Sequence, residues 1–165
     1  MFKLVLVDTC LGWMGIIGST RGVRNILLPH KSRKQVIDLA KLDYVFTCDN
    51  TSLCEEDLPL RLQLYLKGRV VEFHDKLDLG RTTLFQQKVW QVTRNIAYGH
   101  TQTYGWVAER VGCASGARAV GQALGKNPLP IIIPCHRIIA CDGTLGGFSA
   151  GLPLKKHFLE LERAI

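Results

Sequence analysis

The sequence predicts an α+β fold in two parts: residues 1–80, a small antiparallel sheet with helices, and residues 81–165, mainly helical around a helix-turn-helix. Three observations carry this expectation. Residues 2–8 (FKLVLVD), 13–18 (WMGIIG) and 23–28 (VRNILL) are short β-rich runs parted by turn residues, the pattern of an antiparallel meander. From Thr83 onward the apolar residues recur at helical spacing. The chain of 165 residues is 47% apolar and 21% charged, enough for a packed core and incompatible with wholesale disorder.

Taken in order, Ser32 caps a helix running to about Leu42. Glu55, Glu56 and Asp57 sit at the start of a second helix that ends near Leu66, with Gly68 beyond; acidic residues favour the positive end of a helix dipole. Residues 69–79 read as a strand or an extended link. Thr82 or Thr83 opens a helix to about Ala97 with Phe85, Val89, Val92 and Ile96 on its buried stripe. Thr103 caps a short helix over 104–111, with Tyr104, Val107, Ala108 and Val111 on one side, and Gly112 stops it. Ser115 caps a further helix over 116–125, and two short helices joined this tightly form a helix-turn-helix. Ile131–Ile133 reads as a buried strand stopped by Pro134. Asp142-Gly143, Gly146-Gly147 and Gly151 mark a turn-rich loop, and Pro153 opens a last helix to about Arg163 with Leu154, Phe158 and Leu161 buried. Trp13, Trp90 and Trp106 are expected in the core.

The net charge is +7 and unevenly spread: residues 1–85 hold 12 Lys or Arg against 10 Asp or Glu, residues 86–165 hold 9 against 4. A polyanionic partner suits this excess, and the second half is where it would bind. No apolar run approaches the roughly 18 residues of a membrane span, and MFKLVLVDTC lacks the apolar length of a signal peptide. The chain therefore reads as intracellular, away from membranes, with reduced thiols. Cys10, Cys48, Cys54, Cys113, Cys135 and Cys141 form no CxxC pair, and His30, His74, His100 and His157 have no metal-ligand spacing. Cys10, His30 and Cys48 are the one loose grouping, and neither metal nor cofactor is expected.

Two constellations could carry chemistry. The helix over 116–125 buries Ala117, Val120 and Leu124 and turns out Arg118, Gly121, Gln122 and Gly125. Each glycine costs a helix about 1 kcal/mol against alanine. Two on one face suit either close approach of a nucleic-acid backbone, with Arg118 reaching into the duplex, or tight packing of another helix. In Pro134-Cys135-His136-Arg137-Ile138 a thiol sits at a rigid corner beside an imidazole and a guanidinium, which lower a thiol pKa when they face it. A buried, inert Cys135 with a surface His136 is the alternative. Glu162 falls beside the buried stripe of the last helix; its partner is His136, completing a nucleophile, proton relay and orienting group, or else a lysine or arginine.

The string Pro134-Cys135-His136-Arg137-Ile138, together with Arg118-Ala119-Val120-Gly121, Asn127-Pro128 with Pro130, Gly147-Phe148-Ser149-Ala150-Gly151 and Leu159-Glu160-Leu161-Glu162, resembles the O6-alkylguanine-DNA alkyltransferases over residues 82–163. The resemblance implies a DNA-repair enzyme, a methylated-DNA–protein-cysteine methyltransferase that acts once. It moves an alkyl group from O6 of guanine, and also O4 of thymine, in duplex DNA to its own cysteine after flipping the nucleotide. It implies an RNase H-like layout for the first half and a winged-helix-like second half that binds the minor groove as a monomer. Cys135 is then the acceptor, His136 takes the thiol proton through a water, Glu162 orients His136, and Asn127 braces the loop. Tyr104 donates to the guanine ring, Ser149 sits near O6, Phe148 lines the pocket, and the carbonyls of Cys135 and Ile138 accept from the guanine amino group. Arg118 fills the vacated stack, while Ala117, Gly121, Gln122, Thr103 and Ser115 meet the DNA. Phe148 departs from the tyrosine of many members, and the zinc ligands of some N-terminal domains have no equivalents. Two competing classes are a DNA-binding regulator reading through residues 103–126 and a thiol hydrolase on Cys135 and His136. The glycine face offers few base-reading groups for the first, and the basic second half has no evident purpose in the second.

Overall fold

The three β-rich runs form strands β1 (Phe2–Thr9), β2 (Gly12–Ser19) and β3 (Gly22–His30), paired antiparallel. The computed structural model describes residues 2–47 and 57–165, and the chain divides into two compact units, 1–80 and 81–165. The expected positions Cys48, Cys54, Glu55 and Glu56 lie outside the described residues.

In the first unit β2 is central and buried from Met14 to Gly18, which explains its unbroken apolar run. Helix α1 (Arg33–Asp43) is capped by Ser32, whose side chain accepts from the Gln35 amide. It packs on β2 where Gly15 leaves room: a Cβ there would come within 2.7 Å of Val36. Leu4, Ile17 and Ala40 centre the core, with Phe2, Leu27, Ile37 and Tyr44 packed around them. The sheet is not purely antiparallel. After α1 the chain returns to the edge as β4 (Phe46–Thr47), parallel to β1, so the order is β3-β2-β1-β4. A helical crossover delivers a strand parallel where a tight turn cannot. Helix α2 (Leu58–Leu66) starts at Asp57 and is followed by Gly68 at φ +76°. Residues 69–79 form a link rather than a strand, tied by a single bridge from Leu77 to Val23. Its buried acid Asp75 pairs with Arg61 at 2.7 Å.

In the second unit α3 (Leu84–Arg94) opens with a full capping box between Thr83 and Gln86. Its buried set is Val89, Trp90 and Thr93, with Ile96 just beyond, while Phe85 and Val92 lie at the margin. Thr93 belongs inside because its hydroxyl bonds the Val89 carbonyl at 2.8 Å. The Trp90 indole N–H reaches the Ala123 carbonyl at 3.0 Å, tying α3 to α5 (Ala117–Gly125). Trp13 and Trp106 are only half-buried, each under an arginine (Arg33 and Arg110). Thr103 caps α4 (Tyr104–Arg110) by accepting from the Trp106 amide. The residue at the N-terminus of α5 is Gly116, not Ser115, and no side chain caps it. Gly116 lies so close to Cys113 that a Cβ would stand 2.5 Å from its sulfur. Ile131–Ile133 is buried but forms no strand. It turns instead, with Ile131 at φ 74° and the Ile133 amide bonded to Leu129 at 2.8 Å. The strand pair of this unit is β5 (Gln102–Thr103) with β6 (Ile138–Ile139), parallel. Helix α6 (Leu152–Leu161) closes the chain and carries Pro153 in its first turn.

Candidate active site

Pro134 ends the buried turn, and Cys135–Arg137 form one turn of 3₁₀ helix leading into β6. Cys135 is 8% exposed. Asn127 holds the segment from the other side: its Nδ2 donates to the Ile133 carbonyl at 2.8 Å and to Cys135 Sγ at 3.2 Å, and its Oδ1 accepts from the Leu129 amide. Burial pushes the Cys135 thiol up, opposed by the Asn127 hydrogen bond and the charge of Lys155. The resting group is therefore a thiol that needs a base.

The next residue in the turn is a histidine. His136 is fully buried, and its Nε2 lies 2.8 Å from Glu162 Oε1. A carboxylate only accepts, so Nε2 carries the proton and Nδ1 the lone pair. Burial pushes His136 down, partly offset by Glu162, which keeps the imidazole neutral and basic near pH 7. Glu162 also accepts from Arg137, whose Nε and Nη2 sit 2.8 and 2.9 Å from its two oxygens, and from the Gly99 amide at 3.2 Å. Burial alone would raise the Glu162 carboxyl; His136 and Arg137 outweigh it and hold the group at about 2. Both sequence readings of Glu162 are thus realised at once, histidine and arginine sharing one carboxylate.

Cys135 opens onto a cavity of about 660 Å³ whose lining includes Tyr104, Ala117, Arg118, Gly121, Gln122, Phe148 and Ser149. The Tyr104 hydroxyl lies 3.3 Å from both the amide and the carbonyl of Gly147. Phe148 stacks edge-on against Phe158, and Phe158 against His136. On α5 the buried face is Val120, Ala123 and Leu124, whereas Ala117 is half-buried at the cavity. Nothing approaches a Cβ built at Gly125 within 4 Å, and at Gly121 the nearest atom is Tyr104, 3.6 Å away. The face is open at Gly125, while Gly121 lies against Tyr104 of α4, so helix packing accounts for Gly121 no further than one side chain.

Of the residues expected to meet DNA, Thr103 spends its hydroxyl on the α4 cap, and neither it nor Ser115 lines the cavity. Ile138 is fully buried outside the lining. Sequence reasoning missed Lys155. The buried face of α6 is Lys155, Phe158, Leu159 and, at its end, Glu162, spaced i, i+3, i+4, i+7; Leu154 and Leu161 are half-buried. Lys155 Nζ donates to the carbonyls of Ile138 (2.5 Å), Leu145 and Gly147 (3.1 Å). Reckoning back seven residues from Glu162 would have found it. Cys141 is exposed and shares the cavity with Cys135. Among the described residues no three His, Cys, Asp or Glu side chains gather as a metal site, and no helix is long and apolar enough to cross a membrane.

Residues 84–164 match the family model described as 6-O-methylguanine DNA methyltransferase, DNA binding domain. A methylated-DNA–protein-cysteine methyltransferase of Mycobacterium tuberculosis is 46% identical over 104 residues, 63% of this chain. That match spans only 62% of the mycobacterial protein's own length. The enzyme of the same name from Methanosarcina barkeri is 34% identical over 158 residues, 95% of this chain and 94% of its own. Among solved structures, the Mycobacterium tuberculosis O6-methylguanine methyltransferase superposes with a TM-score of 0.78 at 32% identity, covering 99% of this chain and 94% of that one. Mycobacterium tuberculosis OGT in complex with DNA gives 0.79 at 35% identity, covering 99% and 92%.

Proposed function

The chain belongs to the methylated-DNA–protein-cysteine methyltransferase family, and from that premise and the geometry of its site we propose that it repairs O6-alkylguanine in duplex DNA by taking the alkyl group onto Cys135. The observation that carries this reading is the arrangement at the cavity floor: a buried thiol held by Asn127, next to a neutral His136 that is bonded to an ionised Glu162.

His136 Nδ1, acting through a water, takes the thiol proton, and Glu162 stabilises the imidazolium so formed. The thiolate attacks the alkyl carbon; the S–C bond forms, the C–O6 bond breaks, and its electron pair passes into the guanine ring. Tyr104 donates a hydrogen bond to the guanine ring, and the base leaves neutral by taking up one proton from solvent, balancing the one the thiol gave to His136. The thioether has no route back to thiol, so each molecule acts once, on O4-alkylthymine as on O6-alkylguanine. Phe148 and Ser149 line the space for the base and its alkyl group, and the Cys135 and Ile138 carbonyls accept from the guanine amino group.

The target atom is buried in a stacked duplex, so the nucleotide is flipped into the cavity at a cost of a few kcal/mol. Arg118 fills the gap. Gly121 and Gly125 let α5 lie in the minor groove, with Ala117 and Gln122 beside them and Thr103 and Ser115 toward the phosphates. In this reading residues 81–165 are a winged-helix-like DNA-binding and acceptor domain, and residues 1–80 an RNase H-like scaffold. The protein acts as an intracellular monomer without cofactor or metal. Titrating a methylated duplex with increasing protein tests it: methyl removal should plateau at one group per protein molecule and vanish in Cys135→Ala. Multiple turnover, or repair by Cys135→Ala, would refute it.

A further inference from the structure

Lys155 is a second buried charge at the site, and the reaction described above leaves it without a task. It is fully buried on α6. Its three carbonyl partners come from two places: Ile138, at the end of the turn that carries Cys135, and Leu145 and Gly147, in the glycine-rich loop that carries Phe148 and Ser149. The Ile138 backbone is held on both sides of its Cα, its amide donating to the Cys135 carbonyl and its carbonyl accepting from Lys155. Gly147 is likewise gripped by Lys155 and by the Tyr104 hydroxyl. A neutral amine has two N–H groups and cannot serve three carbonyls; an ammonium can. A fully buried lysine is costly unless it is needed or well paired, and no carboxylate pairs with it in the described residues.

We propose that Lys155 is a positioning residue for alkyl transfer: its ammonium holds the Ile138 carbonyl, ties the pocket loop to the Cys135 turn, and supplies the positive charge that favours the Cys135 thiolate. The proposal rests on the alkyl-transfer reading. Burial lowers Lys155 to about 8, and the charge of Cys135 opposes that fall, so the ammonium prevails near pH 7. The reciprocal effect on Cys135 is downward. The titratable groups that act on the sulfur are Tyr104 from α4 and Lys155 from α6, with the His136 backbone beside it in its own turn, and Arg118 and Cys141 line the same cavity. Glu162 is committed to His136 and Arg137, and Lys155 is the fully buried cation whose charge acts on the Cys135 sulfur.

The test follows alkylation of the Cys135 peptide by iodoacetamide across pH in wild type and Lys155→Met, alongside single-turnover methyl transfer at saturating duplex. The variant should shift the pH midpoint of Cys135 reactivity upward by about one to three units. It should slow the saturated transfer rate about 100-fold and leave affinity for an undamaged duplex, which does not fill the pocket, unchanged, since Lys155 is fully buried. A midpoint and saturated rate equal to wild type would overturn the proposal. Should Lys155→Met not fold, the wild-type protein with ¹⁵N-labelled lysine decides: one slowly exchanging ammonium signal is expected that moves when Cys135 is methylated, and no lysine signal responding to methylation overturns the proposal. Iodoacetamide reactivity does not require methyl transfer. A wild type that transfers nothing therefore refutes the function, whereas an active wild type with an unmoved Lys155→Met refutes only the role of Lys155.

Discussion

Replacing Glu162 by Gln removes one negative charge from a place where it serves two buried partners. The carboxyl is held at about 2 against an ordinary 4.5, which corresponds to about 3 kcal/mol of folded-state stability at neutral pH. A second route gives the same scale. Arg137 is 8% exposed, and its remaining hydrogen bond in the site runs to the Ile96 carbonyl at 2.5 Å; stripping the partner from a buried ion pair costs about 3–5 kcal/mol. Glu162→Gln should therefore lower the free energy of unfolding at pH 7 by about 3 kcal/mol, measured by urea denaturation. The sign with pH is fixed because the folded-state value is depressed. The contribution is complete above about pH 4.5 and disappears as pH falls toward 2. The gap between wild type and variant should close over that interval. A variant within about 1 kcal/mol of wild type at pH 7, the worth of a surface pair, would refute the reasoning, as would a gap that persists in acid.

Two further predictions concern the DNA face. Gly125→Leu meets nothing within 4 Å at Cβ; replacing a helical glycine should leave the melting temperature equal or higher, while duplex affinity falls about tenfold as the side chain obstructs the groove. Unchanged affinity would remove α5 from the interface. Arg118→Ala should slow repair in duplex DNA while sparing reaction with free O6-benzylguanine, since only the duplex substrate needs the stack filled. Equal loss on both substrates would sink the insertion role.

Local signals carried much of the architecture. Ser32 and Thr103 cap the helices they are expected to cap, and of Thr82 and Thr83 it is Thr83 that caps α3, because the capping hydrogen bond needs only three or four neighbouring residues. Ser115 failed where a through-space contact intervened: the approach of Cys113 places a glycine, residue 116, at the start of α5. Ile131–Ile133 has strand composition, yet Pro130 and Pro134 bracket it and the run turns. The pairing of His136 with Glu162 was legible from chemistry, each wanting what the other offers. Lys155 was not, because a stripe of apolar residues is sought where a buried charge is held by carbonyls distant in sequence. The parallel β4 escaped for the same reason: two residues carry no periodicity, and their partner lies across a helix.

The central claim is that Cys135 is consumed in the repair of DNA. Mass analysis of the protein after incubation with an O6-methylguanine duplex tests it most directly. The account predicts a gain of one methyl group, confined to the peptide containing Cys135 and stable to dialysis, with none on the peptide containing Cys141. Loss of the lesion with an unmodified Cys135, or a methyl group on another residue, would contradict it.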